Sequence, residues 1–416
     1  MEGENVVFLD YITRTMEKIC RINEGISFYE KMDFYKKRSN KTFITDVDEL
    51  KLLPTISKDD LRALKPYELL NVDIKQVVEY HESFGTTGEP VSMWFTKSDF
   101  DSYVHQINES AVNFNENDIA LIRFPYAISV PAHIFTAAIK QRGGCVIPAS
   151  RGTLVTPYTR VIKLMKKLNV TILACNPHEA FLLAKVSGLM GLDSKKDFNC
   201  LRAICVAGEM LSDERKKRLE KVWNVEVYNF YGTTETGNMA TSCQYGNLHC
   251  SDDDFIFEVL DPVTNEKVND GEKGILHITT LKKDASPLVR YNLDDVVQIQ
   301  YQKCRCGLHT QILKHYGRYS DRVEINGKTY FYRELEEELL SHEEIGNEWK
   351  IRIEKNQVVF VVECEDISEK NRVENVNLNL DIPYRIIGVD KGSIINPDEL
   401  VKIVPFGKPV HIEKAD

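Results

Sequence analysis

Residues 201–235 read LRAICVAGEMLSDERKKRLEKVWNVEVYNFYGTTE, and the fold turns on how that stretch is parsed. Residues 201–206 form a short apolar run with the length of a buried strand. Ala207-Gly208-Glu209 is its turn. Ser212-Asp213-Glu214-Arg215 opens a charged amphipathic helix, and residues 225–230 make the next strand. The pattern extends upstream. Residues 156–168 put Val161, Leu164, Met165 and Leu168 on one helical face and Lys163, Lys166 and Lys167 elsewhere. A strand over 170–175, a loop with Pro177 and a second apolar helix through 181–186 follow. Strand alternating with helix predicts an α/β fold with a largely parallel sheet. Ligands of such sheets bind at the carboxyl ends of the strands, so the residues just after each strand carry the functional question.

The character changes after Gly317. Residues 321–331 read as a hairpin around Asn326-Gly327, a strong two-residue turn signal. A short helix over 333–340 and a second hairpin over 350–364, turning near Lys355-Asn356-Gln357, complete a small α+β domain. The boundary falls at 317/318, giving domains 1–317 and 318–416. Composition agrees with a chain of this kind. Its 416 residues suit two or three domains, and 43% apolar with 28% charged is ordinary for a globular protein. The 53 Lys and Arg against 63 Asp and Glu leave a net charge of −10, which argues against a wrap around nucleic acid or an anionic membrane. No apolar run nears the ~20 residues of a membrane helix. The first residues are acidic where a secretory signal would be basic, and ten cysteines in so long a chain are no disulfide scaffold. A cytoplasmic protein is expected.

Two loops could carry chemistry. Ser83-Phe84-Gly85-Thr86-Thr87-Gly88-Glu89-Pro90 combines glycines, which allow a tight backbone-exposed loop, with hydroxyls that donate to phosphate oxygens. Neither the Walker signature nor the dinucleotide Gly-x-Gly-x-x-Gly occurs. Tyr228-Asn229-Phe230-Tyr231-Gly232-Thr233-Thr234-Glu235 closes a strand with an aromatic, hydroxyls and a carboxylate. Such a group could stack a base, touch a phosphate and hold Mg²⁺, which needs one or two carboxylates beside substrate phosphates. Each loop alone also reads as a plain turn.

Taken with Gly208-Glu209, Arg290-Tyr291-Asn292-Leu293-Asp294-Asp295, Gly317-Arg318-Tyr319-Ser320-Asp321 and Phe406-Gly407-Lys408, in this order, the two loops decide it. The set resembles the adenylate-forming superfamily of acyl- and aryl-CoA ligases and carrier-loading adenylation domains, nearest its phenylacetate–CoA ligase branch. Residues 279–291 and Cys304-Arg305-Cys306-Gly307 carry the likeness to that branch. The resemblance implies a large multi-sheet AMP-binding domain over 1–317 and a small mobile lid over 318–416. Ser83, Gly85, Thr86, Thr87 and Gly88 would wrap the ATP triphosphate. Gly208 and Glu209 would border the adenine, Tyr231 with Gly232 would stack on it, and Asn229 would meet its amino group. Thr234 would contact the α-phosphate, Glu235 would bind Mg²⁺, and Asp295 would hold the ribose with help from Arg318. Lys408 would be the lid lysine that reaches the carboxylate and α-phosphate. Tyr126, His133 and Ala207 would line the acid pocket. Three positions depart from the pattern: Val91 where many members have Lys, Asp294 where Gly is usual, and Ser320 at an acidic hinge position.

Cys243, His249, Cys304 and Cys306 offer three thiolates and an imidazole, a closed tetrahedral set of the structural zinc kind. Metal-carrying members of the resembled branch show the same pairs, and Cys250 and His309 are possible substitutes. The runs Lys36-Lys37-Arg38 and Arg215-Lys216-Lys217-Arg218 are expected to be solvated faces, and Cys145, Cys175, Cys200 and Cys205 packing residues. The implied activity is ATP-dependent adenylation of an aromatic acid, followed by transfer to coenzyme A or to the phosphopantetheine of a carrier protein. The chain also resembles stand-alone ligases that load dihydroxybenzoate in siderophore assembly. A non-catalytic nucleotide-binding assembly or regulatory protein of the same fold is the alternative.

Overall fold

The computed structural model describes residues 2–83, 88–401 and 412–414, with side chains over 13–83 and 88–401. It is a mixed α/β structure whose chain groups into two units. One comprises Met1–Ser110, Ile128–Val130 and Tyr231–Lys314, and the other Ala111–Ala127, Pro131–Phe230 and His315–Asp416.

The second unit holds the parallel strands. Cys145–Pro148, Ile119–Ile122, Ile172–Cys175, Ala203–Ala207 and Glu226–Thr233 pair in that spatial order, every neighbour parallel. Ile172–Cys175 and Ala203–Ala207 are buried throughout, as strands covered on both faces must be. Helix Tyr158–Lys167 turns Tyr158, Val161, Ile162 and Met165 into the core and leaves lysines outside. Helix Pro177–Leu189 starts at its proline rather than after it, because the fixed φ of proline suits the first helical position. Helix Asp213–Trp223 is capped by the Ser212 side chain, which accepts from the Arg215 amide, and ends at Asn224 in the left-handed region.

The same unit carries the elements expected after Gly317. Strands Val323–Ile325 and Lys328–Tyr330 pair around Asn326 and Gly327, whose φ values of 53° and 75° are those of the tight hairpin turn. Tyr332–Leu340 is the short helix. Trp349–Glu354 and Gln357–Cys364 form the second hairpin, flanked in parallel by Ile412–Lys414 and Tyr384–Asp390. A core of their own gathers Leu335, Leu339, Trp349, Ile351, Phe360 and Val362.

The first unit opens with the long helix Glu2–Tyr29, which buries Ile22, Ile26 and Tyr29. An antiparallel meander, Phe255–Leu260, Lys273–Thr280 and Tyr291–Gln300, is its main sheet component. The last strand bulges. Ile275 pairs Val296 and His277 pairs Asn292, so one residue on one side opposes three on the other, and Asp294 takes φ 63° there. Strand Leu248–Cys250 pairs antiparallel with Gly237–Ser242 and with Ile312–Leu313.

Candidate active site

In the first unit the turn after strand Glu226–Thr233 is shaped by two glycines. A Cβ on Gly232 would stand 2.0 Å from the Gly237 carbonyl oxygen, and one on Gly237 would stand 2.5 Å from the Tyr103 ring. Glycine at 232 and at 237 is therefore a packing requirement whatever the turn binds. The tight turn brings Glu235 to 2% exposure. The Lys58 ammonium lies 2.9 Å from its carboxylate, and the Lys283 ammonium donates to its backbone carbonyl. Burial pushes the Glu235 carboxyl up, but the Lys58 charge and its hydrogen bonds outweigh that, and the group sits below its usual range. Thr234 is half-buried beside it.

Lys58 is fixed by its own segment. Ser57 caps the short helix Lys58–Arg62 in a capping box with Asp60. Ile56 exchanges backbone hydrogen bonds with Arg290 and Asn292 on the strand that carries Asp295. Arg290 itself is buried and structural. It pairs Glu258 through two bonds of 3.0 Å and donates to the Leu53 carbonyl at 2.6 Å. Lys283 is sunk over the Phe95 ring, and burial lowers its ammonium pKa to about 8 despite the Asp99 and Glu235 charges. The Tyr231 hydroxyl donates to the Asp295 carboxylate at 2.6 Å, and Asp295 is buried while Asp294 is only half-buried. The two acidic residues thus differ in setting, and Asp295 is the one joined to the tyrosine of the motif.

Ser83, also in this unit, is buried. Its hydroxyl accepts from the Val91 amide at 2.9 Å and its amide donates to the Val91 carbonyl, which closes the base of the Gly/Thr loop. Val91 is itself fully buried, so a lysine would not suit that position here. Gly88 is exposed, with the Arg62 guanidinium carbon 3.2 Å from where its Cβ would be. Gly85, Thr86 and Thr87 lie outside the described residues, as does Lys408.

In the second unit Gly208 and Glu209 follow the carboxyl end of strand Ala203–Ala207, and Asn229 lies within the adjacent strand Glu226–Thr233, Val206 pairing Asn229 and Ala207 pairing Phe230. Gly208 has φ 79°, and a Cβ there would meet the Asn176 amide nitrogen at 2.8 Å. That amide donates to the Ala207 carbonyl at 2.9 Å, tying the two turns together. The Glu209 carboxylate accepts from the Arg215 guanidinium at 3.3 Å. Tyr126 and His133 are brought together, the His133 ring nitrogen 2.9 Å from the Tyr126 carbonyl and the Tyr126 hydroxyl 2.7 Å from Thr136. Phe124, Phe135 and Phe230 form an aromatic row nearby in the same unit. Arg318 is exposed at the end of its strand.

The structure corrects two readings, that of a basic run and that of a set of cysteines. Arg215 and Arg218 are not a solvated face: Arg215 is 4% exposed and Arg218 is half-buried, donating to backbone carbonyls. Of the lysines between them, Lys217 faces out and Lys216 is half-buried, paired with Glu220. Cys145 and Cys200 are exposed, so of the four cysteines expected to pack, Cys175 and Cys205 do so. Lys58 and Lys283 escape a reading of motifs, since neither stands in one.

The cysteine and histidine cluster also forms. The ligand atoms of Cys243, His249, Cys304 and Cys306 all lie within 4.8 Å of one another, and Cys250 and His309 are not among them. Cys243 and Cys304 sulfurs are 3.9 Å apart, and Cys306 sulfur is 3.3 Å from His249 Nε2. A tetrahedral ion with bonds of about 2.0–2.3 Å needs separations of that order. The other His249 nitrogen bonds Thr310 at 2.9 Å, the orienting contact that metal-bound imidazoles make. Burial pushes the Cys304 thiol up, but the Cys306 amide and the Asn247 side chain hold it below its usual range.

The glycine turns and the buried Glu235 carboxylate all stand in a stretch that matches a family model described as AMP-binding enzyme. That stretch, residues 83–281, forms an AMP-binding domain. The chain is homologous to phenylacetate–coenzyme A ligases. That of Thermus thermophilus is 26% identical over 359 residues, covering 82% of this chain and 78% of the relative. That of Pseudomonas putida is 26% identical over 369 residues, covering 83% and 81%. Among solved structures, a 2-hydroxyisobutyryl-CoA ligase in the postadenylation state in complex with 2-HIB-AMP superimposes with a TM-score of 0.82. It is 16% identical and covers 97% of this chain and 90% of that one, which establishes the fold. No helix among the described residues is long and apolar enough to cross a membrane.

Proposed function

We propose that this protein is an acid–thiol ligase. It uses ATP to adenylate an aromatic carboxylic acid and passes the acyl group to coenzyme A. The observation that carries the reading is Glu235, a carboxylate kept ionised while almost wholly buried, with a lysine on it, in the turn of the AMP-binding motif. The homologues over four-fifths of the chain support the acid and the thiol. The aryl-carrier-protein acceptor of siderophore-type ligases is the second possibility for the thiol.

In the first half-reaction an acid oxygen attacks the α-phosphorus. The bond from that phosphorus to the bridging oxygen breaks, and pyrophosphate leaves. The difficulty is bringing an anion to a polyanion. Glu235 would hold Mg²⁺, which neutralises phosphate charge when bound, and its ionised state fits that role. Lys58 adds a cation at the same carboxylate, and we assign it the charge that Val91 does not provide. Tyr231 and Asp295 position the nucleoside, the tyrosine orienting the carboxylate that accepts the ribose hydroxyls. Thr234 contacts the α-phosphate. Ser83 through Gly88 hold the leaving phosphates, and Gly208, Glu209 and Asn229 border the adenine with Arg318 assisting. Lys408, on a small lid domain of residues 318–416, approaches the reacting carboxylate for this step and withdraws for the next. In the second step the thiol sulfur attacks the acyl carbon, AMP leaves with the bonding electrons, and the thiol proton goes to solvent. Tyr126, His133 and Ala207 line the acid pocket. The zinc staple of Cys243, His249, Cys304 and Cys306 is structural, since four protein ligands leave no open position for substrate.

Product analysis tests the reading. With ATP, magnesium, phenylacetate and coenzyme A, equal amounts of AMP and acyl-CoA are expected by mass spectrometry. Formation of ADP, or acid-independent nucleotide consumption, would refute it.

A further inference from the structure

The buried arginine that the sequence presents as part of a surface run has two partners. Arg215 reaches Glu209 with one guanidinium nitrogen at 3.3 Å and stands 3.8 Å from Glu336 with the other, which also donates to the Met210 carbonyl. Glu336 is fully buried on helix Tyr332–Leu340, and the Tyr332 hydroxyl donates to it at 3.0 Å. One guanidinium thus bridges the adenine-side turn to a helix more than a hundred residues later in the chain.

The same helix is held by two further arginines. Arg333 donates to the Leu211 carbonyl and pairs Asp213 at 2.8 Å. Arg218 gathers the carbonyls of Leu340, His342, Ile345 and Gly346 at the helix end, at 2.5–3.3 Å. A helix leaves its last four carbonyls without intrahelical partners, so this cap fixes where the helix docks. Arg218 touches neither Glu209 nor Glu336 in these bonds.

We infer that Arg215 is a positioning residue that couples the docking of helix Tyr332–Leu340 to the nucleotide site. Glu336 restrains one end of the guanidinium, and the other end is thereby held on Glu209. This rests on the assignment of Glu209 to the adenine border. Coupling between two sites is reciprocal: whatever docking adds to nucleotide affinity, nucleotide adds to docking.

The experiment uses full-length protein and AMP, with affinity by calorimetry and amide hydrogen exchange across residues 332–346. In the wild type AMP slows exchange in that segment. Glu336→Gln, which keeps the shape and removes the charge, weakens AMP about fivefold and abolishes the slowing, within the usual range of coupling energies. Arg218→Ala speeds exchange of the segment and weakens AMP by a similar factor, although Arg218 lies away from the nucleotide turn. If both variants fold and bind AMP within twofold of the wild type, the arginines merely pack the helix and the inference is wrong. Should one variant not fold, the other decides by the same readout, and unaltered segment exchange on AMP binding in the wild type is itself refuting. A wild type that binds no AMP refutes the nucleotide reading of Glu209 instead.

Discussion

Glu235 shows how a carboxylate is kept ready for a cation in a dry place. Burial alone would favour the protonated acid, and the Lys58 ammonium reverses that preference. Removing the lysine should therefore raise the Glu235 pKa, so that more of it is protonated at a given pH. In Lys58→Ala the acid limb of the pH–rate profile should move to higher pH, with the rate at pH 7.5 falling about a hundredfold. An unchanged acid limb would separate Lys58 from the carboxylate. Lys283 poses the opposite case. Its folded pKa of about 8 lies below the ordinary 10.5, so between those values the unfolded chain holds a proton that the folded chain does not. Stability contributed by this residue therefore rises with pH across that window. Urea unfolding of the wild type, referenced to Lys283→Met, should climb by on the order of 3 kcal/mol between pH 8 and 10.5. A flat difference would show that Lys283 keeps its proton.

Neither lysine is legible in the sequence. Ser57-Lys58-Asp59 and Lys282-Lys283-Asp284 read as ordinary polar stretches, and only tertiary packing brings them to one residue, Lys58 to the Glu235 carboxylate and Lys283 to its backbone carbonyl. Arg215 and Arg218 mislead for a related reason. Helix Asp213–Trp223 is charged at most of its positions, but residues three and four apart share a face, and the face of Arg215 is covered together with Leu219.

The elements were easier to read because they depend on local rules. Apolar runs of four to five residues bounded by turns are strands, and Asn326-Gly327 forms its hairpin because both residues take positive φ without penalty. The strand expected to stop at residue 230 continues to Thr233 because Gly232 lets two backbones meet. Other contacts are visible only in three dimensions. The cysteine cluster draws on strand Leu248–Cys250, the preceding turn and the 304–306 loop, residues about sixty apart in sequence. If these hold zinc, metal analysis should return about one zinc per chain. Cys304→Ser should lose it along with about 3 kcal/mol of stability, the linkage expected for an ion held near a hundred times its dissociation constant. Full metal content in Cys304→Ser, or none in the wild type, would contradict the staple.

At the scale of the whole molecule the α/β frame follows from alternation of elements, and the ordered motifs carried the family resemblance that the AMP-binding match and the homologues support. The two-unit grouping did not follow from the sequence, because strand Glu226–Thr233 runs through its boundary and each unit collects distant segments of chain. Adenylation is the central claim, and carboxylate-dependent exchange of labelled pyrophosphate into ATP tests it without requiring the thiol. The account predicts exchange with phenylacetate or a hydroxybenzoate, lost when acid or magnesium is withheld and reduced about a hundredfold or more in Glu235→Gln. No exchange across a panel of aryl and alkyl acids, by protein that still binds ATP, would contradict it and favour a nucleotide-binding protein without turnover.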